Sequence, residues 1–160
     1  MTDLKTLYET DTAAWSEHQA AALRAAARGG SNQPLDWENL AEEIEDLGRS
    51  LKYALRSQIS RVIQHHVKLE HSPATDPRGG WRRSIRQARN EIGLILRDSP
   101  SLKREVPRFI REETRPAVEL AIRDLEEHDE LHHLQLPSLR KASYTEEQVL
   151  GDWFPEEPPR

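Results

Sequence analysis

The sequence predicts an all-α fold, a helical bundle of about four main helices arranged around one long helix at about residues 37–71. Three observations predict it. Apolar residues recur at steps of three and four across that stretch with no internal proline. Ten prolines and seven glycines fall mostly in short clusters, as connectors between helices require. No stretch of useful length alternates apolar with polar residues as a strand would. At 160 residues a single helical domain is expected over 1–160, with a less regular segment at about 135–160. Hydrophobic residues make up 36% and charged residues 32%, so the core must be narrow, which suits helices with solvated outer faces.

In chain order, residues 11–28 form an alanine-rich run that favours helix, ended by Gly29-Gly30-Ser31. Asp36 is a ready N-cap for the long helix, and Glu38, Glu42 and Glu43 crowd its first turns, where the helix dipole favours negative charge. Its stripe reads Leu40, Ile44, Leu47, Leu51, Leu55, Ile59, Val62, His66 and Leu69. At 1.5 Å per residue the helix would be roughly 50 Å long. A loop is expected over 72–80. Trp81, Ile85, Ala88, Ile92 and Leu96 then form a second stripe, which should pack antiparallel on the first. Ser99 can cap a new turn beginning at Pro100. Pro107 opens the last long helix, expected to reach about Leu134 with a kink or break at Pro116. Pro137 should end helical structure. Thr145-Glu146-Glu147-Gln148 has capping-box spacing for a short final helix, after which Trp153 and Phe154 should pin the tail to the body.

The absence of cysteine excludes disulfides, thiolate metal ligands and a cysteine nucleophile, and makes a reducing, cytoplasmic setting the expectation. No signal-peptide apolar run opens the chain, and no segment approaches the roughly 20 apolar residues of a membrane span, so no membrane association is expected. The net charge of −5 argues against a dedicated nucleic-acid binder.

Polar residues on otherwise apolar helix faces are the candidates for chemistry. The first group is Glu43, Gln58, His65, His66 and Lys68. His65 titrates near neutrality and would suit a metal ligand or an acid/base group. A satisfied hydrogen-bond network between helices is the favoured reading, because buried polar groups are usually paired for structural reasons. The second group is His128, His132 and His133. His128 and His132 are four apart, the spacing that puts two imidazoles on one helix face. The residue after His128 is Asp129, where the zinc-protease motif has Glu, and no third ligand is evident upstream. A solvated, charge-rich helix end is the default there, and no metal or other cofactor is assigned.

The third group is a basic surface. From Asp76 to Arg111 there are ten Lys or Arg against four acids, and Arg82, Arg86 and Arg89 share one helix face. The competing partner lies in the same chain, since Asp36–Asp46 holds six acids and no base. Pairing of the two blocks as a solvated ladder is preferred over nucleic-acid binding. No phosphate-binding glycine loop, nucleophile elbow or dinucleotide fingerprint is present.

The pattern as a whole resembles the bacterial family catalogued as domain of unknown function 29. The likeness begins at Tyr8, Asp11 and Trp15 and is strongest through Leu35-Asp36-Trp37-Glu38-Asn39-Leu40-Ala41-Glu42-Glu43-Ile44-Glu45-Asp46-Leu47-Gly48. It continues at Ser57, His65 and Lys68, at Trp81, Ile85 and Arg89, and at Ser99-Pro100-Ser101-Leu102. It resumes at Tyr144-Thr145 and Glu147-Gln148-Val149-Leu150, then Trp153 and Pro155. Leu69 stands where the family pattern would place an aromatic, and the likeness weakens over about 112–142. The resemblance implies an α-helical cytoplasmic fold and brings no activity. The leading expectation is a non-catalytic helical interaction or accessory module with an unknown protein partner or a second copy. A metal-binding or metal-dependent enzyme using His and Glu, and a nucleic-acid accessory using the helix at 81–97, are the alternatives.

Overall fold

Asp36 caps the longest helix with both carboxylate oxygens. Oδ1 accepts the Asn39 amide at 3.3 Å and Oδ2 accepts the Asn39 side-chain amide at 2.6 Å. From there α3 runs unbroken over Trp37–His71. The computed structural model describes residues 3–131 and 135–157. The other elements are α1 (Leu4–Thr10), α2 (Thr12–Arg28), α4 (Arg78–Asp98), α5 (Val106–Glu127), α6 (Leu136–Leu139) and α7 (Glu146–Leu150), with a 3₁₀ turn at Pro100–Glu105. The fold is all-α. Its main helices are α2, α3, α4 and α5, and no strand occurs among the described residues. The chain divides into two compact units. One is the chain up to Ala54 with Leu94–Arg104; the other is Leu55–Gly93 with the chain from Glu105 onward.

The first unit is built on small side chains. Ala13, Ser16 and Ala20 are buried on α2, as are Ala41 and Gly48 on α3. A Cβ at Gly48 would lie 2.5 Å from Ser16 Oγ, so the two helices approach closely here and a larger residue would push that hydroxyl off the Ala13 carbonyl. Arg24 donates to Glu45 at 2.9 Å and Lys52 to Glu17 at 2.8 Å, pairs whose exposure makes them guides to register more than sources of stability.

Asp11 ties the start of α2 to the 3₁₀ turn. Its Oδ1 accepts the Ala14 amide at 2.9 Å and the Ser101 hydroxyl at 2.9 Å, and its Oδ2 accepts the Ser101 amide at 2.6 Å. Ser99 Oγ accepts the Ala13 amide at 3.1 Å. The orphan amides that every helix N-terminus leaves are thus met from two places, the local cap and a hydroxyl distant in sequence. Ser99 therefore caps α2, not the turn that follows it.

In the second unit the α3 stripe continues as Leu55, Ile59, Val62, His66 and Leu69, all fully buried, and meets Ile85, Ala88 and Ile92 of α4 and Phe109, Val118, Ile122 and Leu125 of α5 in one core. Arg78, buried at the start of α4, donates to the carbonyls of Leu69 at 2.7 Å and Ser72 at 3.2 Å. Lys68 lies 6.0 Å from the Trp81 ring centroid, so here α4 turns back along α3.

The structure corrects several sequence expectations. An additional helix, α1, precedes the alanine-rich one. The loop after α3 is shorter than 72–80, because the Arg78 bonds start α4 with Gly79 and Gly80 already in its first turn. α5 is continuous through Pro116. Both Pro116 and Glu112, whose carbonyl the proline cannot bond, are exposed, so the freed acceptor lies on the solvent side of the helix. α5 ends at Glu127 and not near Leu134, because Asp129 adopts φ 53 and closes the helix. The Glu130 amide bonds to Leu125 and the Asp129 amide to Glu126, the Schellman pattern with aspartate in the left-handed position. Pro137 sits in the first turn of α6 and does not end helical structure.

The Asp11 contacts generate a stability prediction. Asp11→Ala removes a helix cap and strands the Ser101 amide, and should lower the unfolding free energy by about 2–3 kcal/mol in urea denaturation. Ser101→Ala, which keeps the backbone bond, should cost about 1 kcal/mol.

Candidate functional site

The first group of polar candidates does not assemble into one site. Glu43 is exposed and belongs to the first unit, whereas Gln58, His65, His66 and Lys68 belong to the second. Lys68 reaches α5 and pairs with Asp124 at 2.5 Å. Gln58 Oε1 and His65 Nδ1 are buried without a partner among the described residues. Burial, with the Lys68 and Arg61 charges nearby, holds the His65 pKa down at about 4.

His66 is fully buried and does specific work on the C-terminal segment. Its Nε2 donates to the Gln148 carbonyl at 2.7 Å, which assigns the proton to Nε2 and leaves Nδ1 as an unpartnered acceptor. The ring lies 5.6 Å from Tyr144 and 5.0 Å from Trp153 between centroids. Burial lowers its pKa to about 4; the Gln148 bond opposes the shift and the Arg89 charge adds to it. Arg89 completes the clasp. It donates to Gln148 and Val149 at 2.9 Å each and to Trp153 at 2.6 Å, all backbone carbonyls at the end of α7 and just beyond it. The carbonyls are presented by the α7 capping box, in which Gln148 N donates to Thr145 Oγ1 at 3.2 Å and Thr145 N to Gln148 Oε1 at 2.8 Å. Beside the clasp, Tyr144 OH donates to Glu70 at 3.2 Å. Burial raises the Glu70 pKa, an effect the Tyr144 bond opposes, and burial beside that carboxylate raises the Tyr144 pKa.

The same segment packs against the basic surface and leaves Arg86 exposed. Arg82 pairs with Glu157 at 3.2 Å, and Arg82, Arg86 and Arg89 surround the Phe154 ring at 5.9, 5.4 and 4.9 Å from its centroid. The acidic block turns elsewhere, Glu45 to Arg24 and Asp46 to Arg49. Each block thus has partners within its own unit. The histidine group is also displaced. α5 ends before His128, whose Nδ1 donates to the Asp124 carbonyl at 2.7 Å, so the helix on which the four-residue spacing depended stops short. His132 and His133 lie outside the described residues. Among the described residues no group of three or more His, Asp or Glu is placed to hold a metal ion.

A surface that the sequence reading did not separate from the core lies on the first half of α3. Leu40 is 40% exposed and Leu47 is 49% exposed, with Ile44 and Leu51 half-buried between and after them. These are the same stripe positions that are fully buried from Leu55 onward. At 100° per residue, α2 covers the neighbouring face at Ala41 and Gly48, and the stripe itself is left open. Asp36, Glu43 and Ser50 line the side of the stripe away from α2, a row with two carboxylates and no base. The hydrophobic periodicity found the stripe, but no local signal tells which half the chain will cover.

The clasp predicts a pH dependence. A histidine with a folded pKa below its unfolded value contributes fully above the unfolded pKa, near 6.5, and loses that contribution as pH falls towards about 4. Unfolding free energy should therefore fall between pH 6.5 and 4, by on the order of 2–3 kcal/mol for each of His65 and His66. His66→Phe should flatten that profile. Arg89→Ala should speed amide exchange at Val149 and Gly151 by at least about tenfold, while exchange in the middle of α5 stays unchanged.

The comparisons with known proteins agree with this architecture. A crystal structure of an alpha-helical protein of unknown function from Rhodospirillum rubrum is similar to 92% of this chain and 91% of its own, with a TM-score of 0.72 and 28% sequence identity. No curated protein matches the chain. The family described as "Domain of unknown function DUF29" matches residues 7–154, a span that holds the Asp11 joint, the α3 stripe and the His66–Arg89 clasp. The chain therefore belongs to the DUF29 family.

Proposed function

We propose that this protein is a non-catalytic helical interaction module and that its partner docks on the open first half of the α3 stripe. The supporting observation is the contrast along one helix: Leu40 and Leu47 remain 40% and 49% exposed, while Leu55 and Ile59 in the same stripe are fully buried. Apolar positions at steps of four, three and four on one face are what a helix laid alongside reads as anchors. A row of exposed apolar side chains rimmed by charge is the usual form of a protein-binding surface.

The rim selects the partner. Asp36 and Glu43 border the stripe, and Glu42 and Glu43 form no ion pair among the described residues. A second copy in antiparallel pairing would set these acidic rows against each other. The partner that fits is an amphipathic helix with Lys or Arg beside its apolar row, since complementary charge speeds encounter and fixes register. The clasp supports the non-catalytic part of the reading: His66 and Arg89 are committed to backbone carbonyls. The nucleic-acid alternative is disfavoured because residues 153–157 already occupy the face of Arg82, Arg86 and Arg89.

The test is capture from native cells with zero-length carbodiimide cross-linking, comparing the natural chain with Leu40→Glu/Leu47→Glu. The expected result is a cross-link from Asp36 or Glu43 to a lysine on a partner helix, absent from the variant although its helicity is unchanged. A partner retained equally by the variant would place docking elsewhere, and cross-links to a second copy of this chain would replace the basic-helix partner with self-association.

A further inference from the structure

The second unit contains a half-open cleft of about 440 Å³ between α5 and the segment around residues 140–144. Its floor is apolar, formed by Ile110 and Val118 of α5 and by Ala142. Tyr144 adds a wall, its hydroxyl engaged by Glu70. Its rim is cationic. Arg111 and Arg115 stand one helical turn apart on α5, exposed, and neither forms an ion pair among the described residues. Arg140, the third arginine of the lining, is matched by Glu119 at 2.8 Å, and that bond holds the Glu119 carboxyl below its usual range. The lining thus carries an excess of two positive charges on a chain whose net charge is −5.

We infer that this cleft binds an amphipathic anion, a single carboxylate or phosphate head on an apolar chain of medium length. The volume falls in the range of small-molecule sites, and an apolar floor with a few convergent polar groups is their usual composition. Arg111 and Arg115 supply the head-group contacts, since guanidinium forks match the oxygens of carboxylate and phosphate bidentately. The ligand's apolar chain takes the floor at Ile110, Val118 and Ala142. The cleft lies within one unit and is separate from the α3 stripe, so it stands or falls independently of the docking surface.

Calorimetric titration of the full chain with decanoate, decyl phosphate and decanol tests the inference. The expected result is saturable one-site binding of at least one of the two anions, with decanol at least about tenfold weaker. Arg111→Gln/Arg115→Gln should weaken anion binding by at least about tenfold, while Arg83→Gln/Arg97→Gln, which removes two exposed arginines outside the cleft, leaves it unchanged. Tighter binding of decyl phosphate assigns a phosphate head, and tighter binding of decanoate a carboxylate. Failure of both anions to saturate, equal binding of decanol, or equal losses in the two double variants would overturn it.

Discussion

The central constraint is that α3 carries a longer apolar stripe than the rest of the chain covers. Sustained over 35 residues, the stripe needs partners along its whole length, and a composition with 36% hydrophobic residues provides a deep core at only one end. In the second unit Leu55, Ile59, Val62 and Leu69 are removed from water by large side chains of α4 and α5. In the first unit α2 meets α3 through Ala13, Ser16 and Ala20, which approach closely but present little surface. Small-residue packing buries the Ala41–Gly48 face and leaves the adjacent stripe half open. The open half of the stripe is therefore a consequence of which residue sizes line α2.

Electrostatics follows the same division. The acidic start of α3 is partly neutralised by Arg24 and Arg49, with Glu42 and Glu43 left to solvent. The basic face of α4 is turned inward onto the chain's own end. Arg89 could make surface ion pairs of little value; instead it donates to three carbonyls in a partly buried place, where charge-assisted bonds contribute more. His66 supplies a fourth donor contact and an aromatic surface, and remains neutral because burial makes the charged form costly. Together they fix α7 and the residues up to Trp153 onto the second unit.

Much of the architecture was legible because its signals are local. The Asp36 cap, the α3 period and the Thr145–Gln148 capping box each depend on residues within a turn of one another, and the structure has all of them. What was not legible depends on contacts distant in the sequence. Ser99 caps a helix that lies 86 positions earlier. The end of α5 depends on Asp129 in a left-handed conformation, a place usually taken by glycine or asparagine, so the sequence carried no stop signal there. Arg82, Arg86 and Arg89 share one face in the sequence, but their partners are three carbonyls, the Phe154 ring and the Glu157 carboxylate, and backbone acceptors leave no trace in a charge count. The exposed half of the stripe was invisible for the same reason, since periodicity reports a face and not its neighbour.

The most direct test of this account uses the absence of cysteine from the chain. Single substitutions Leu47→Cys and Ile59→Cys place one thiol on each half of the stripe, and their alkylation rates are measured in purified protein and in native cell extract. The account predicts that the thiol at 47 reacts within about tenfold of an unfolded control when purified and is protected in extract, while the thiol at 59 is protected in both. A thiol at 47 as protected as that at 59 in the purified protein would show that the chain covers its own stripe. Equal reactivity at 47 in buffer and extract would show that nothing docks there.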